Sequence, residues 1–223
     1  MPRERYQESL DELRAEVLTM GELVTERLDE SLDAVEAGDR SLARAVADGD
    51  DEINETYLRL EDRCVDLFAL QQPVASDLRF VTASFKIITD LERIGDLAVN
   101  LANYSRAESR AAPEAPEIDA IGEAAKSLLE RSLAAYESEA ADACRAIAAD
   151  DDEVDALCQR ASEGVTRELI AQGDDDSWTV ERLLDDVSRV LLTIRDLERV
   201  ADHAVNIAAR TLYMVESDPE LIY

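Results

Sequence analysis

One stretch of the sequence occurs twice, first as VTASFKIITDLERIGDLAVNLA at residues 81–102 and again as VSRVLLTIRDLERVADHAVNIA at residues 187–208. About half of the aligned positions are identical, and a shorter match sets DDEIN at 50–54 over DDEVD at 151–155. Similar composition alone does not produce such a match, so the sequence predicts a tandem duplication, with one unit at residues 1–110 and the other at 111–223. The identical residues of the first copy include Asp90, Leu91, Glu92, Arg93, Asp96, Ala98, Val99 and Asn100.

The repeated stretch has the apolar spacing of a long amphipathic helix, and so does most of the chain. Leu10, Leu13, Val17 and Met20, for example, follow one another at intervals of three and four. Good helix formers dominate, while Gly and Pro number only 7 and 5. The predicted fold is all-α, an elongated tandem of two antiparallel three-helix bundles. The six predicted helices cover residues 6–36, 41–71, 76–105, 118–138, 142–171 and 178–216, and the Pro-containing stretch 107–119 is the predicted linker.

The charge of the chain excludes several classes of function. The sequence carries 52 acidic and 23 basic side chains, for a net charge of −29. Nucleic-acid phosphates and anionic lipid headgroups repel such a surface, so binding to nucleic acid or to anionic membrane is not expected. Only two of the basic residues, Lys86 and Lys126, are lysines. An acidic, lysine-poor composition is typical of adaptation to high salt, where the charge is screened.

The sequence predicts a cytoplasmic protein that does not insert into a membrane. The first residues lack the hydrophobic core of a signal peptide, and no apolar run approaches the roughly 20 residues that span a bilayer. The three cysteines, Cys64, Cys144 and Cys158, form no CxxC motif. We expect them to be reduced residues of the core.

The repeated DLERxxD motif places oxygen ligands on one helix face. Glu92 and Asp96 are four residues apart, so their carboxylates lie one turn apart on the same side of the helix, and Glu198 and Asp202 repeat the arrangement. Carboxylates at this spacing suit hard cations and clusters of iron or manganese. The alternative is a set of surface salt bridges made by Arg93 and Arg199 with the neighbouring acids, which would contribute little to stability.

Acidic residues at the start of the second helix of each unit form another candidate group. Asp51 and Asn54 of the first unit match Asp152 and Asp155 of the second. In an antiparallel bundle these residues could face the third helix and complete a site there. Alternatively, they only complement the helix dipole.

The sequence offers no credible catalytic set. His203 is the only histidine, and its equivalent in the first unit is Leu97, so we expect it to be a packing residue. Phosphate-binding glycine loops of the GxxxxGK[ST] and GxGxxG types are absent. Arg79, in the segment QQPVASDLRF at 71–80, could bind an anion or a partner, or this segment is only a capped turn.

These motifs together resemble those of the PhoU family. The resemblance is carried by QQPVASDLRF, by LERIGDLAVNLA with its repeat LERVADHAVNIA, and by LTMGELVTERL at residues 18–28, and it covers nearly the whole chain. It implies a cytoplasmic regulator of two three-helix bundles, often a homodimer. Members restrain phosphate uptake when phosphate is plentiful, acting with the phosphate ABC transporter and, in bacteria, its sensor kinase. The ATPase subunit of the transporter is the expected partner.

The resemblance also implies sites for metal, since some members bind metal clusters through paired E(D)xxxD motifs. Iron, zinc, manganese or magnesium are the candidates. The implied ligands are Glu92, Asp96, Glu198, Asp202, Asp90, Asp196, Asp51, Asp152 and Asp155, with Arg79, Arg93 and Arg199 as candidate partner-binding residues. The alternatives to a non-enzymatic regulator are a metal-dependent carboxylate-cluster enzyme and a purely structural helical scaffold.

Overall fold

The computed structural model describes residues 3–70, 74–105, 117–171 and 177–222. Within these ranges the chain is helical, and the predicted all-α architecture is confirmed. The helices are α1 (Arg3–Ala37), α2 (Arg40–Asp48), α3 (Asp50–Leu70), α4 (Ala75–Ser105), α5 (Glu117–Ser138), α6 (Ala141–Ala171) and α7 (Ser177–Glu216). Most of the predicted linker, residues 107–116, lies outside the described residues.

The second predicted helix is interrupted and forms α2 and α3. Asp39 caps the start of α2 by accepting hydrogen bonds from the backbone N–H groups of Ser41 and Leu42, at 2.8 and 3.1 Å. Gly49 ends α2, and its N–H donates to the carbonyl of Val46 at 3.2 Å. The new helix therefore begins at Asp50, and the break sets which acidic residues of α3 face α4.

Each half of the chain is a bundle, and the two halves share one core. In the first half α1, α2 and α3 pack against α4, and in the second α5, α6 and α7 pack against one another. Contacts of α4 with α7 and of α1 with α5 join the halves. A single cluster of buried side chains runs from Tyr6 in α1 to Met214 in α7. The predicted apolar stripe of α1 is buried in this core, and so are the three free cysteines.

Two glycines allow α1 and α5 to approach closely. A Cβ atom on Gly21 would lie 2.6 Å from Cδ2 of Leu133, and one on Gly122 would lie 2.7 Å from Cδ2 of Leu32. Both separations are far inside van der Waals contact, so Leu133 and Leu32 would have to shift to admit a side chain at these positions. In the first turn of α4, Leu78 is 44% exposed and does not contribute to the core.

The helices are amphipathic rather than apolar on all sides. Along the ranges that the structure describes, none of them is long and apolar enough to cross a lipid bilayer.

Candidate functional site

The first carboxylate cluster lies where the start of α3 meets the middle of α4. We define it as Asp50 and Asn54 of α3 with Glu92 and Asp96 of α4. Asn54 donates a hydrogen bond from its side-chain amide to Oδ2 of Asp50 at 3.0 Å. Burial, and then the charges of Asp96 and Asp50, raise the pKa of Glu92. Asp96 remains exposed, but partial burial and the charge of Asp50 raise its pKa as well. The two helices thus bring like charges together across the bundle.

The second carboxylate cluster occupies the equivalent place between α6 and α7. It consists of Asp151 and Asp155 of α6 with Glu198 and Asp202 of α7. Burial raises the pKa of Asp151 to about 6, helped chiefly by the charges of Asp155 and Asp202. The pKa of Glu198 and that of Asp202 are raised by burial and by Asp155. This cluster has four carboxylates, whereas the first has three carboxylates and an amide.

Each cluster contains a buried carboxylate oxygen without a hydrogen-bond partner. These atoms are Oδ1 of Asp50 and Oδ1 of Asp151, which occupy equivalent positions in the duplication. A buried charged oxygen without a partner is costly, and a bound cation would satisfy it. The donor atoms are all oxygens, which suits Mg²⁺, Mn²⁺ and iron, and zinc accepts them as well. The residues therefore fit a metal in charge and in ligand type.

The side chains are not gathered as a finished metal site. Among the described residues, no group of three or more His, Cys, Asp or Glu side chains is arranged to hold a metal ion. Carboxylate rotamers would therefore have to turn inward as a cation binds.

The structure places the acids of α3 and α6 one position earlier than the predicted ligands. Asp51 and Asp152 are exposed, whereas Asp50 and Asp151 are half-buried beside the helix that carries the motif. Asp152 still lines a cleft together with Asp151 and Asp202. A residue turns about 100° from its neighbour on a helix, so a shift of one position changes the face. Ile53 of α3 is buried, and residues three apart share one face of a helix. The apolar character of Ile53 therefore indicates that Asp50 lies on the buried face of α3.

Asp90 and Asp196 lie at the interface between the two halves instead of inside the clusters. Asp90 of α4 is hydrogen-bonded through Oδ1 to Nδ1 of His203 of α7 at 2.9 Å. In a second hydrogen bond between the same two helices, the hydroxyl of Tyr104 on α4 donates to Oδ2 of Asp196 on α7 at 2.9 Å. The order of these contacts along the two helices shows that α4 and α7 run antiparallel. Both aspartates are buried, and each serves as a polar anchor between the bundles.

His203 is more than a packing residue. It is buried as expected, but it also forms the hydrogen bond to Asp90. Its position between the clusters is shown by its effect on both: it opposes the rise in the pKa of Glu92 in the first and of Asp202 in the second. Sequence reasoning missed this pairing because the partners are 113 residues apart.

The three predicted partner-binding arginines have different surroundings. Arg93 is exposed beside Glu92. Nη1 of Arg199 lies 3.6 Å from Oδ1 of Asp196, and the side chain remains 48% exposed. Arg79 is half-buried, and its buried Nε has no hydrogen-bond partner. It lines a small cleft of about 270 Å³ at the end of the bundle, whereas the clusters lie along the helices.

The second cluster opens into a larger cleft of about 830 Å³. Its walls carry both acidic and basic side chains, among them Asp151, Asp202, Arg145, Arg199 and His203. The cleft has room for a cation together with further ligands, since one water occupies about 30 Å³.

The fold and the clusters define a class of protein: a duplicated helical bundle whose halves present equivalent oxygen-rich sites. The PhoU domain matches residues 17–105 and, a second time, residues 118–211. The chain is 32% identical over 221 residues to the phosphate-specific transport system accessory protein PhoU homolog of Clostridium acetobutylicum, covering 96% of both chains. It is 29% identical over 214 residues to the accessory protein PhoU of Escherichia coli, covering 95% of this chain and 86% of that one. The chain therefore belongs to the PhoU family.

Solved structures show the same architecture. The crystal structure of PhoU from Pseudomonas aeruginosa superposes with a TM-score of 0.84 at 31% identity, covering 96% of this chain and 100% of the other. That of the phosphate transport system regulatory protein PhoU from Streptococcus pneumoniae gives 0.86 at 27% identity, covering 96% and 98%. The predicted family and fold are confirmed by these comparisons.

Proposed function

We propose that this protein is an accessory regulator of phosphate uptake. It binds the phosphate ABC transporter, through the ATPase subunit, and restrains uptake when phosphate is plentiful. The observation that carries this proposal is the match of both halves to the PhoU domain, over nearly the whole chain. The relatives are named accessory or regulatory proteins of phosphate transport rather than enzymes. This agrees with the prediction that the chain is not an enzyme.

We further propose that the two clusters hold divalent or trivalent metal ions. Asp50, Glu92 and Asp96 would be ligands in the first cluster, and Asp151, Asp155, Glu198 and Asp202 in the second. The raised pKa values support this proposal, because crowded carboxylates without a counter-ion repel one another and a cation would relieve that repulsion. A bound metal would supply positive charge at the face of α4 and α7 and bind each helix to its neighbour.

The location, the oligomeric state and the partners of the protein form part of the same proposal. We place it in the cytoplasm, where the transporter's ATPase subunit lies, and we expect a homodimer. A sensor kinase is a further candidate partner. Direct binding to nucleic acid is not expected, since the net charge of −29 opposes it.

The proposal is tested by metal analysis combined with co-purification. After dialysis against a chelator, the protein should retain stoichiometric metal and should capture the transporter's ATPase subunit. The double variant Asp96→Asn/Asp202→Asn should lose the metal. The matched double variant Glu52→Gln/Glu153→Gln changes exposed residues at equivalent positions of α3 and α6 and should keep it. Absence of metal from the wild-type protein would refute the metal part, and failure to capture the ATPase subunit would refute the partner.

A further inference from the structure

A short strap follows α7 and turns back toward the second cluster. We define the strap as residues 217–222. Ser217 adopts a positive φ of 60°, which ends the helix. The carbonyl of Pro219 accepts a hydrogen bond from the backbone N–H of Ile222 at 2.9 Å, so the strap forms a compact turn.

The strap is attached to the second bundle at two points. Nε of Arg145, on α6, donates to Oε2 of Glu220 at 3.2 Å. The same guanidinium also pairs with Glu216 at the end of α7, at 2.5 Å. The neighbouring Leu221 is half-buried and packs against the hydrophobic core. One attachment is therefore ionic and the other apolar.

The strap and the second cluster share one cleft. Glu220 and Leu221 line the cleft of about 830 Å³ into which Asp151 and Asp202 open. Arg145 precedes Asp151 on the same helix, so the residue that holds the strap and the residue with the unpartnered carboxylate oxygen are on one rigid element. Asp202 is exposed, whereas Asp151 is half-buried, so the strap lines the cleft beside the more enclosed of the two carboxylates.

We infer that the strap is a gate that controls exchange of cations at the second cluster. This inference rests on the proposed binding of metal there. Ion pairs between half-exposed side chains are individually weak, and short surface segments open far more readily than the core. The strap can therefore open without unfolding α6 or α7. In the closed position, Glu220 and Leu221 slow the escape of a bound ion.

The inference is tested by the release of Zn²⁺ to a chromogenic chelator from the zinc-loaded full chain. The phase that belongs to the second cluster is the one that disappears in Asp151→Asn. Glu220→Gln and Leu221→Ala should each accelerate that phase about two- to fivefold, the range expected for loss of one such contact, and should leave the other phase unchanged. Glu163→Gln is the matched control, because it removes an exposed pair with Arg167 elsewhere on α6. Unchanged release in both strap variants would overturn the inference.

A second measurement needs no metal. Ala148 lines the cleft and is half-buried, whereas the three native cysteines are buried. In Ala148→Cys, a neutral thiol reagent should react faster when Glu220→Gln or Leu221→Ala is added. An equal labelling rate would contradict the gate. If the wild-type protein binds no Zn²⁺, the proposed metal function fails, and the labelling rate still decides whether the strap closes the cleft.

Discussion

At the residue scale, the two clusters differ by one charge. Asn54 of the first cluster stands where the second has Asp155, and its amide already satisfies one oxygen of Asp50. The second cluster therefore concentrates more negative charge. The pKa of Asp151 rises to about 6, from an ordinary value of 3.8. We expect the second cluster to bind a cation more tightly and to destabilise the metal-free fold more.

This expectation gives a pH-dependent prediction for Asp151. With a raised pKa the folded state holds more protons than the unfolded state between about pH 4 and 6, so stability falls as the pH rises through that window. Asp151→Asn removes the effect and should stabilise the metal-free protein at pH 7.5 by about 1 kcal/mol, after allowance for solvent screening. At pH 4 the gain should largely vanish. Urea unfolding at both values checks this, with the exposed Glu153→Gln of the same helix as control. A gain no larger than that of the control would contradict the prediction.

A second prediction at this scale concerns the buried pair of His203 and Asp90. His203→Leu introduces the residue found at the equivalent position, Leu97, and leaves Asp90 buried without its partner. Such a loss should lower the free energy of unfolding by about 1–3 kcal/mol. A double-mutant cycle with Asp90→Ala should return a coupling energy of at least about 0.5 kcal/mol. Additive effects of the two changes would show that the hydrogen bond does not join the halves.

At the scale of the elements, apolar periodicity predicted nearly every helix, because it depends only on the spacing of residues that are close in the sequence. The duplication and the third helix of each unit follow directly from the repeated motif. The break at Gly49 was not predicted, because a single glycine in a periodic pattern does not by itself end a helix. Asp50 and Asp151, one residue before the predicted Asp51 and Asp152, were missed for a related reason, since the face of a helix depends on its exact start. Contacts such as that of His203 with Asp90 join distant parts of the chain, and no local pattern records them.

The packing of α1 on α5 supports a prediction about glycine. Gly21→Ala forces a methyl group against Leu133 and should destabilise the protein by about 1–3 kcal/mol, the cost of overpacking. Gly164 of α6 is the matched control, since a Cβ there would have no atom within 4 Å. Gly164→Ala should stabilise the protein by roughly 0.5–1 kcal/mol through helix propensity. Thermal or urea unfolding of the two variants measures the opposite signs. A stabilising Gly21→Ala would contradict the close approach of the helices.

At the scale of the whole molecule, most acidic side chains are solvent-facing, and the clusters use only seven of them. The arginines along the bundle pair with acids across helices, as Arg63 does with Glu12 and Glu16. The acids far outnumber the arginines and lysines, so the net charge of the chain is −29. We propose that this coat is an adaptation to high salt, distinct from the acids that bind metal.

Self-repulsion of such a coat predicts a strong response to ionic strength. Raising KCl from about 0.1 to 1 M shortens the Debye length from about 10 to 3 Å and should raise the melting temperature by several degrees. The measurement is thermal unfolding in a KCl series, with sucrose at matched osmolality as control. A melting temperature that stays constant or falls with KCl would contradict the proposed adaptation.

We propose that the PhoU fold and its two clusters together serve the control of phosphate uptake. The measurement that tests it most directly is the rate of phosphate uptake, in high phosphate, of cells that lack this protein. Uptake should rise above that of the parent strain and should return to the parental rate when the wild-type chain is restored. The variant Asp96→Asn/Asp202→Asn should fail to restore it, whereas the exposed pair Glu52→Gln/Glu153→Gln should succeed. Unchanged uptake in the deletion strain would contradict the proposed function.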